Sequence, residues 1–153
     1  MAERFEKLFD LPSNLYVEGS PLVISAGVLL KDTQTGKIIT QIKFQNISGN
    51  TIKAVKVSLD AFDISGEVIS GVEEYQYLDL SVCNGAYFGF DKAIIMPNSN
   101  CRSIGIGKIV IIFSDNSLWS GNGKNYFSLQ MPKKLQSDMG AELIKQYRIA
   151  TTA

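Results

Sequence analysis

Residues 38–69 read IITQIKFQNISGNTIKAVKVSLDAFDISGEVI. Apolar and polar residues alternate through two runs, separated by NISGN (46–50) and closed by DISGE (63–67). Ile38, Ile42 and Phe44 fall on one face of the first run, and Val55, Val57, Leu59 and Ala61 on one face of the second. Period-two alternation between polar turns predicts antiparallel strands buried on one side. Gly66 stands where the exit turn needs positive φ.

The pattern extends outward. Leu22–Lys31 is a strongly apolar strand, and KDTQTGK (31–37) turns it into Lys37–Ile47. After Ile52–Ile64, a strand over Val72–Val82 carries Leu78, Leu80 and Val82 on one face. Asn84-Gly85 predicts a type I′ hairpin, with positive φ at both residues. Ala86–Met96 returns as one strand with Phe88, Phe90 and Ile94 aligned. Arg102–Phe113 follows, with Ile104, Ile106, Val110 and Ile112 on one face and Ile109 on the other. Asp115-Asn116-Ser117 turns into Leu118–Trp119, and Trp119 is expected to plug the core. A last strand covers Tyr126–Gln130.

About seven or eight strands with turns every 8–12 residues describe an all-β antiparallel sandwich. A closed barrel shares the alternation. Ser137 caps a short amphipathic C-terminal helix over Asp138–Arg148, with Met139, Leu143, Ile144 and Tyr147 on its apolar side. The organisation is an N-terminal extension (1–14), a sandwich (15–132) and a helical tail (133–153).

The 153 residues suffice for one domain with its own core. No run approaches the ~20 apolar residues of a membrane-spanning helix. The opening MAERFEKLFDLP lacks the apolar core of a secretory signal, so a cytoplasmic protein is expected, unless a leading segment has been trimmed from it. Fifteen basic and fifteen acidic residues balance, which argues against nucleic acid as a partner. The charges are segregated: seven acids and no Lys or Arg lie between Val57 and Asp91, then six bases and one acid between Lys92 and Lys134. Either neighbouring strands interleave and cancel them, or they form an acidic patch for a cationic partner.

The chain has no histidine, which removes Ser-His-Asp and Cys-His catalysis and every His-ligated metal site. GIGK (105–108) lies inside an alternating strand and is no phosphate loop. Glu73 and Glu74, adjacent in a strand, are expected on opposite faces, unsuited to paired carboxylate catalysis. Asp60–Glu67 has carboxylates for calcium but the order of a strand and a Ser-Gly turn. Asn46-Ile47-Ser48 fits a glycosylation acceptor and, equally, turn chemistry. Cys83 and Cys101, separated by an extended strand of about 35 Å, are expected as free thiols, because a disulfide needs Cα atoms within about 7 Å. No cofactor is expected.

Aromatic residues are the better lead. With Leu78 and Leu80 inward, Tyr75, Tyr77 and Asp79 share the exposed face beside Glu73, an interaction surface for a protein or a sugar. A bulge or the C-terminal helix would bury the tyrosines instead. The expected role is a non-enzymatic protein-interaction module; the alternative is a carbohydrate-binding or carboxylate-dependent hydrolytic domain. A homo-oligomer through an edge strand or the C-terminal helix is a further expectation.

FQNISGNTIKAVKVSLDAFDISGEVI (44–69) resembles the strand–turn–strand element of small bacterial immunoglobulin-like or fibronectin-III-like domains of the FxLYD type. EYQYLDL (74–80), FGFDKAIIMP (88–97) and IVIIFSDNSLW (109–119) look like segments of an uncharacterised group of Firmicutes proteins. The resemblance implies a fold and no activity. In such proteins a helix like Lys145-Gln146-Tyr147-Arg148 precedes a cysteine-rich zinc ribbon, and no ribbon follows in these 153 residues.

Overall fold

The computed structural model describes residues 4–16, 19–123 and 127–128. Its strands are β1 (Phe5–Asp10), β2 (Leu15–Tyr16), β3 (Leu22–Asp32), β4 (Ile38–Asn46), β5 (Ile52–Phe62), β6 (Val68–Tyr77), β7 (Tyr87–Phe88), β8 (Ile94–Ile95), β9 (Ser103–Phe113), β10 (Leu118–Asn122) and β11 (Phe127–Ser128). The helix expected over Asp138–Arg148 lies outside the described residues.

Two antiparallel sheets form a sandwich. One runs β11-β2-β3-β4-β7, with β1 also on β3 and β8 also on β4; the other runs β10-β9-β5-β6. Consecutive strands β3–β4, β5–β6 and β9–β10 pair as hairpins, and the chain changes sheet between them. Phe5–Asp10, placed ahead of the sandwich by the sequence reading, belong to it: β1 pairs with β3 from Phe5↔Asp32 to Asp10↔Val28.

The alternating faces of residues 38–69 lie inward. Ile38, Ile42 and Phe44 from one sheet, and Val55, Val57, Leu59 and Ala61 from the other, are buried in one core. Loss of the Phe44 ring would cost on the order of 3–5 kcal/mol, the range for emptying a packed aromatic site. Trp119 packs against this core from β10, as its position after the turn suggested.

The turns are held by their own side chains. Asp63 Oδ1 accepts the N–H groups of Ser65 at 2.9 Å and Glu67 at 3.0 Å, and Gly66 has φ 83°. At the β3–β4 turn, Asp32 Oδ1 accepts the Gln34 N–H at 2.9 Å, and its Oδ2 receives Arg4 Nη2 at 3.0 Å. This pair fastens the start of β1 to that hairpin.

Four strand expectations need correction. Ala86–Met96 is not one strand: Gly89 takes φ 96° against the Ile42 carbonyl, so the chain turns between β7 and β8 and Phe90 leaves the core. The extended-strand argument for the cysteines therefore fails, although both are free, Cys83 exposed and Cys101 buried. The Asn84-Gly85 turn has positive φ at Gly85 alone, with Ala86 N–H bonded to Cys83 O at 3.1 Å. That is the φ pattern of a type II turn. In β9 the register shifts between Val57↔Ile109 and Leu59↔Ile106. The extra residue reverses the faces beyond it. Ile104 and Ile106 are buried as expected, but Ile109 and Ile111 replace Val110 and Ile112 in the core. Finally, β6 ends at Tyr77, and Leu78 projects outward.

Candidate functional site

The acidic strand is irregular. Pairing of β6 with β5 runs Val57↔Tyr75, Leu59↔Val72 and Ala61↔Ile69, so β6 twice spends three residues where β5 spends two. Each such bulge turns the next side chain to the other face. Glu73 and Glu74 are consequently both exposed, and both line one groove with Lys56, Ser58, Lys108 and Val110. The expectation that they occupy opposite faces is corrected.

The β9 bulge forms the groove's other wall. There the Ser58 hydroxyl accepts the Lys108 N–H at 2.7 Å, and a Cβ on Gly107 would overlap that hydroxyl. The cavity measures about 50 Å³, far below the ~300 Å³ at which small-molecule pockets begin. Glu74 Oε2 accepts Gln76 Nε2 at 2.8 Å. Lysines of β5 and β9 thus flank two of the acids, so neighbouring strands interleave the signs here.

The four residues singled out in sequence do not form one surface. Tyr77 is only 2% exposed. Its ring sits edge-on to Phe44 at 5.5 Å and to Phe88 at 6.3 Å between centroids. Tyr75 is half-buried, 4.9 Å from Tyr77, while Glu73 and Asp79 are exposed. Asp79 takes φ 57° where the chain leaves β6. The bulges are the cause: they bring Tyr75 and Tyr77 to the inner face and leave Leu78 outside. Burial pushes the Tyr77 hydroxyl pKa up, with Tyr75 and Asp91 adding to it. Among the described residues that hydroxyl has no hydrogen-bond partner.

Exposed aromatic surface lies elsewhere, on the side of β4 that pairs with β7 and β8. Tyr87, Phe90 and Ile95 are 46%, 45% and 57% exposed. Tyr87 pairs with Gln45 and Ile95 with Ile39, whereas their neighbours Phe88 and Ile94 pair with Phe44 and Thr40, whose side chains share the inner face with Ile38 and Ile42. Paired residues share a face, so Tyr87 and Ile95 stand on the outside of the sheet. Phe90 lies between them, in the turn opened by Gly89. Its carbonyl accepts Gln41 Nε2 at 3.1 Å, and Lys43 Nζ sits 4.5 Å over the Tyr87 ring. Sequence reasoning missed this surface by running one strand through it. The signal was Gly89 followed by Phe90-Asp91-Lys92, a glycine and two charges inside a supposed core strand.

Other candidate chemistry is used up structurally. The Asn46 amide is buried: its Nδ2 donates to the carbonyls of Asn50 and Val82, each at 2.9 Å, and its Oδ1 accepts Ser48 N–H at 2.9 Å. A side chain so engaged is a turn lock. Asp63, the calcium candidate, is occupied by the backbone of its own turn. Among the described residues, no cluster of three or more His, Cys, Asp or Glu could hold a metal ion. No helix among them is long and apolar enough to cross a membrane.

No protein-family model, curated protein or solved structure matches this chain.

Proposed function

We propose that this protein is a non-enzymatic protein-interaction module that binds its partner through the outer surface along β4, β7 and β8. The observation that carries the reading is that Tyr87, Phe90 and Ile95, all on the β7–β8 segment, are each about half exposed. Aromatic and aliphatic anchors in a polar rim are the composition of binding hot spots. Gln41, Lys43, Asp91 and Lys92 supply the rim. The Tyr75/Tyr77 surface drops out because Tyr77 belongs to the core.

An immunoglobulin-like or fibronectin-III-like architecture belongs to the same proposal. The orders β3-β4-β7 and β6-β5-β9-β10 support it, corresponding to strands A-B-E and C′-C-F-G of such domains. A reducing compartment such as the cytoplasm suits the free thiols of Cys83 and Cys101. The carbohydrate-binding or hydrolytic alternative has one observation in its favour, the shared groove of Glu73 and Glu74. Two flanking lysines and the small volume weigh against it.

The test is a photo-crosslinking residue placed at Ile95, with the same residue at exposed Lys37 as control. The Ile95 probe is expected to trap one defined protein in native lysate, and Phe90→Ala to abolish the adduct. Equal labelling from both positions, or an adduct indifferent to Phe90→Ala, would overturn the reading.

A further inference from the structure

We propose that the C-terminal residues 138–148 dock by their apolar side on the outer face of the seven-stranded sheet, over Tyr16, Val23 and Ile47, and close a second small core there. Side chains alternate across a strand. In β3, Leu22 and Ile24 face the inter-sheet core, so Val23 faces outward. Its ladder partner is Gln45, the neighbour of inward Phe44 in β4. In β2, Leu15 pairs with Ile24 and packs on the core, so Tyr16 points outward beside Val23. Ile47 follows β4 and donates its N–H to Pro21 O at 2.9 Å, just beyond the Val23–Gln45 pair. Tyr16, Val23, Gln45 and Ile47 are nevertheless 2%, 0%, 1% and 5% exposed, and the three apolar ones are not part of the inter-sheet core. Every described strand lies in one of the two sheets, so no described strand supplies the layer that covers them. The cover ends at β4, because Tyr87, next in the row after Gln45, is half exposed.

The remaining chain, by its length and its starting point, favours its own C-terminus as the occupant. Strand β11 pairs with β2 through Phe127↔Tyr16 and Ser128↔Leu15, which sets the backbone at the edge of this patch. Residues 129–153 follow. From β2 to β4 the patch spans two inter-strand spacings, about 10 Å, and eleven helical residues measure roughly 16 Å. Residues 129–137 extend up to ~30 Å, enough to bring Asp138 to either end of the patch. Met139, Leu143, Ile144 and Tyr147 recur at helical spacing. A helix that short is marginal without a surface to pack on, and a sheet face with an apolar patch needs a helix or sheet against it.

Alkylation of the purified full chain, read by mass spectrometry, is the test. In a Cys83→Ser background, Val23→Cys should be as well protected as the native Cys101, which is buried. Ile47→Cys gives the same reading if Val23→Cys fails to fold. Leu143→Asp/Ile144→Asp should speed alkylation of Val23→Cys roughly tenfold or more, as a local opening does, while Cys101 stays protected. Dilution should not change the protection, because the cover belongs to the same chain. Fast alkylation of Val23→Cys beside the native C-terminus, no acceleration by the two aspartates, or protection lost on dilution, as a second copy would give, overturns the proposal. If the aspartates also expose Cys101, a photo-crosslinking residue at Tyr147 in the otherwise native chain decides the matter. Its adduct is expected within one chain, on residues 16–23 or 45–47; no adduct, or one elsewhere or between chains, refutes the docking. Either result leaves the β4–β7–β8 reading to its own test, because Tyr87, Phe90 and Ile95 lie outside the covered patch.

Discussion

The ring of Tyr77 meets the ring of Phe44 edge to face across the two sheets, at 5.5 Å and 82°. A tyrosine near the end of an edge strand thereby becomes a tie between layers, with its hydroxyl buried and, among the described residues, unpartnered. Tyr77→Phe keeps the ring and removes the orphan hydroxyl. It should raise stability by about 1 kcal/mol, at the low end of the cost of a buried unsatisfied group. Tyr77→Ala should cost roughly 3–5 kcal/mol. Urea melts of the three proteins check both, and a Phe variant less stable than wild type would show the hydroxyl to be satisfied in solution.

Acid should loosen the first strand. The Arg4 guanidinium holds the Asp32 carboxyl at about 2, below its ordinary value, with backbone N–H groups of its turn assisting and burial opposing. A depressed carboxylate stabilises the fold above its unfolded pKa and loses that contribution as pH falls through the folded value. The stability gap between wild type and Asp32→Asn should thus be full above about pH 4 and shrink as pH approaches 2. A gap that stays constant over this window would show that Asp32 acts without its charge. Melts in a pH series measure it.

Two glycines should respond oppositely to alanine. A Cβ at Gly71 would overlap the backbone carbonyl oxygen of Leu59, whereas one at Gly49 meets nothing within 4 Å. Gly71→Ala should cost about 1–3 kcal/mol, as for other overpacked sites. Gly49→Ala should be neutral or stabilising by up to ~1 kcal/mol, through loss of unfolded-chain freedom. Equal Tm values for the two would mean that the β6 bulge relaxes freely.

Asn46→Asp exchanges two buried donors for an acceptor facing the carbonyls of Asn50 and Val82. We expect a loss of about 3 kcal/mol or more, since polar groups on both sides are left unsatisfied. The loss should lessen in acid, when the new carboxyl regains a proton to donate. Chemical denaturation of wild type and variant at neutral and acid pH is the check, and a constant difference would contradict it.

Most of the fold was legible in residues 22–64, where β4 keeps one face buried over its length and the register shifts of β3 and β5 fall near the strand starts, leaving long regular runs after them. The turns at Asp63 and Asp115 were legible for a related reason. Each is closed by its own carboxylate accepting a local N–H, at 2.9 Å in Ser65 and Ser117. The surface was not legible, because it depends on phase. A period-two reading assigns every side chain from the first, so one extra residue in β6 or β9 inverts all that follow. Nothing local marks the bulge at Glu73-Glu74. It exists because Tyr75 and Tyr77 gain more inside, against Phe44 and Phe88, than on solvent.

Alternation and turn chemistry by themselves thus determined an antiparallel sandwich, the inward faces of residues 38–61 and the absence of histidine chemistry. Tertiary packing alone decided that Tyr77 lies in the core, that Glu73 and Glu74 share a groove, and that Tyr87, Phe90 and Ile95 face outward. The reason is that a bulge or a mid-strand turn is a compromise between strands distant in sequence. Its energy resides in cross-strand contacts that no short window of residues contains.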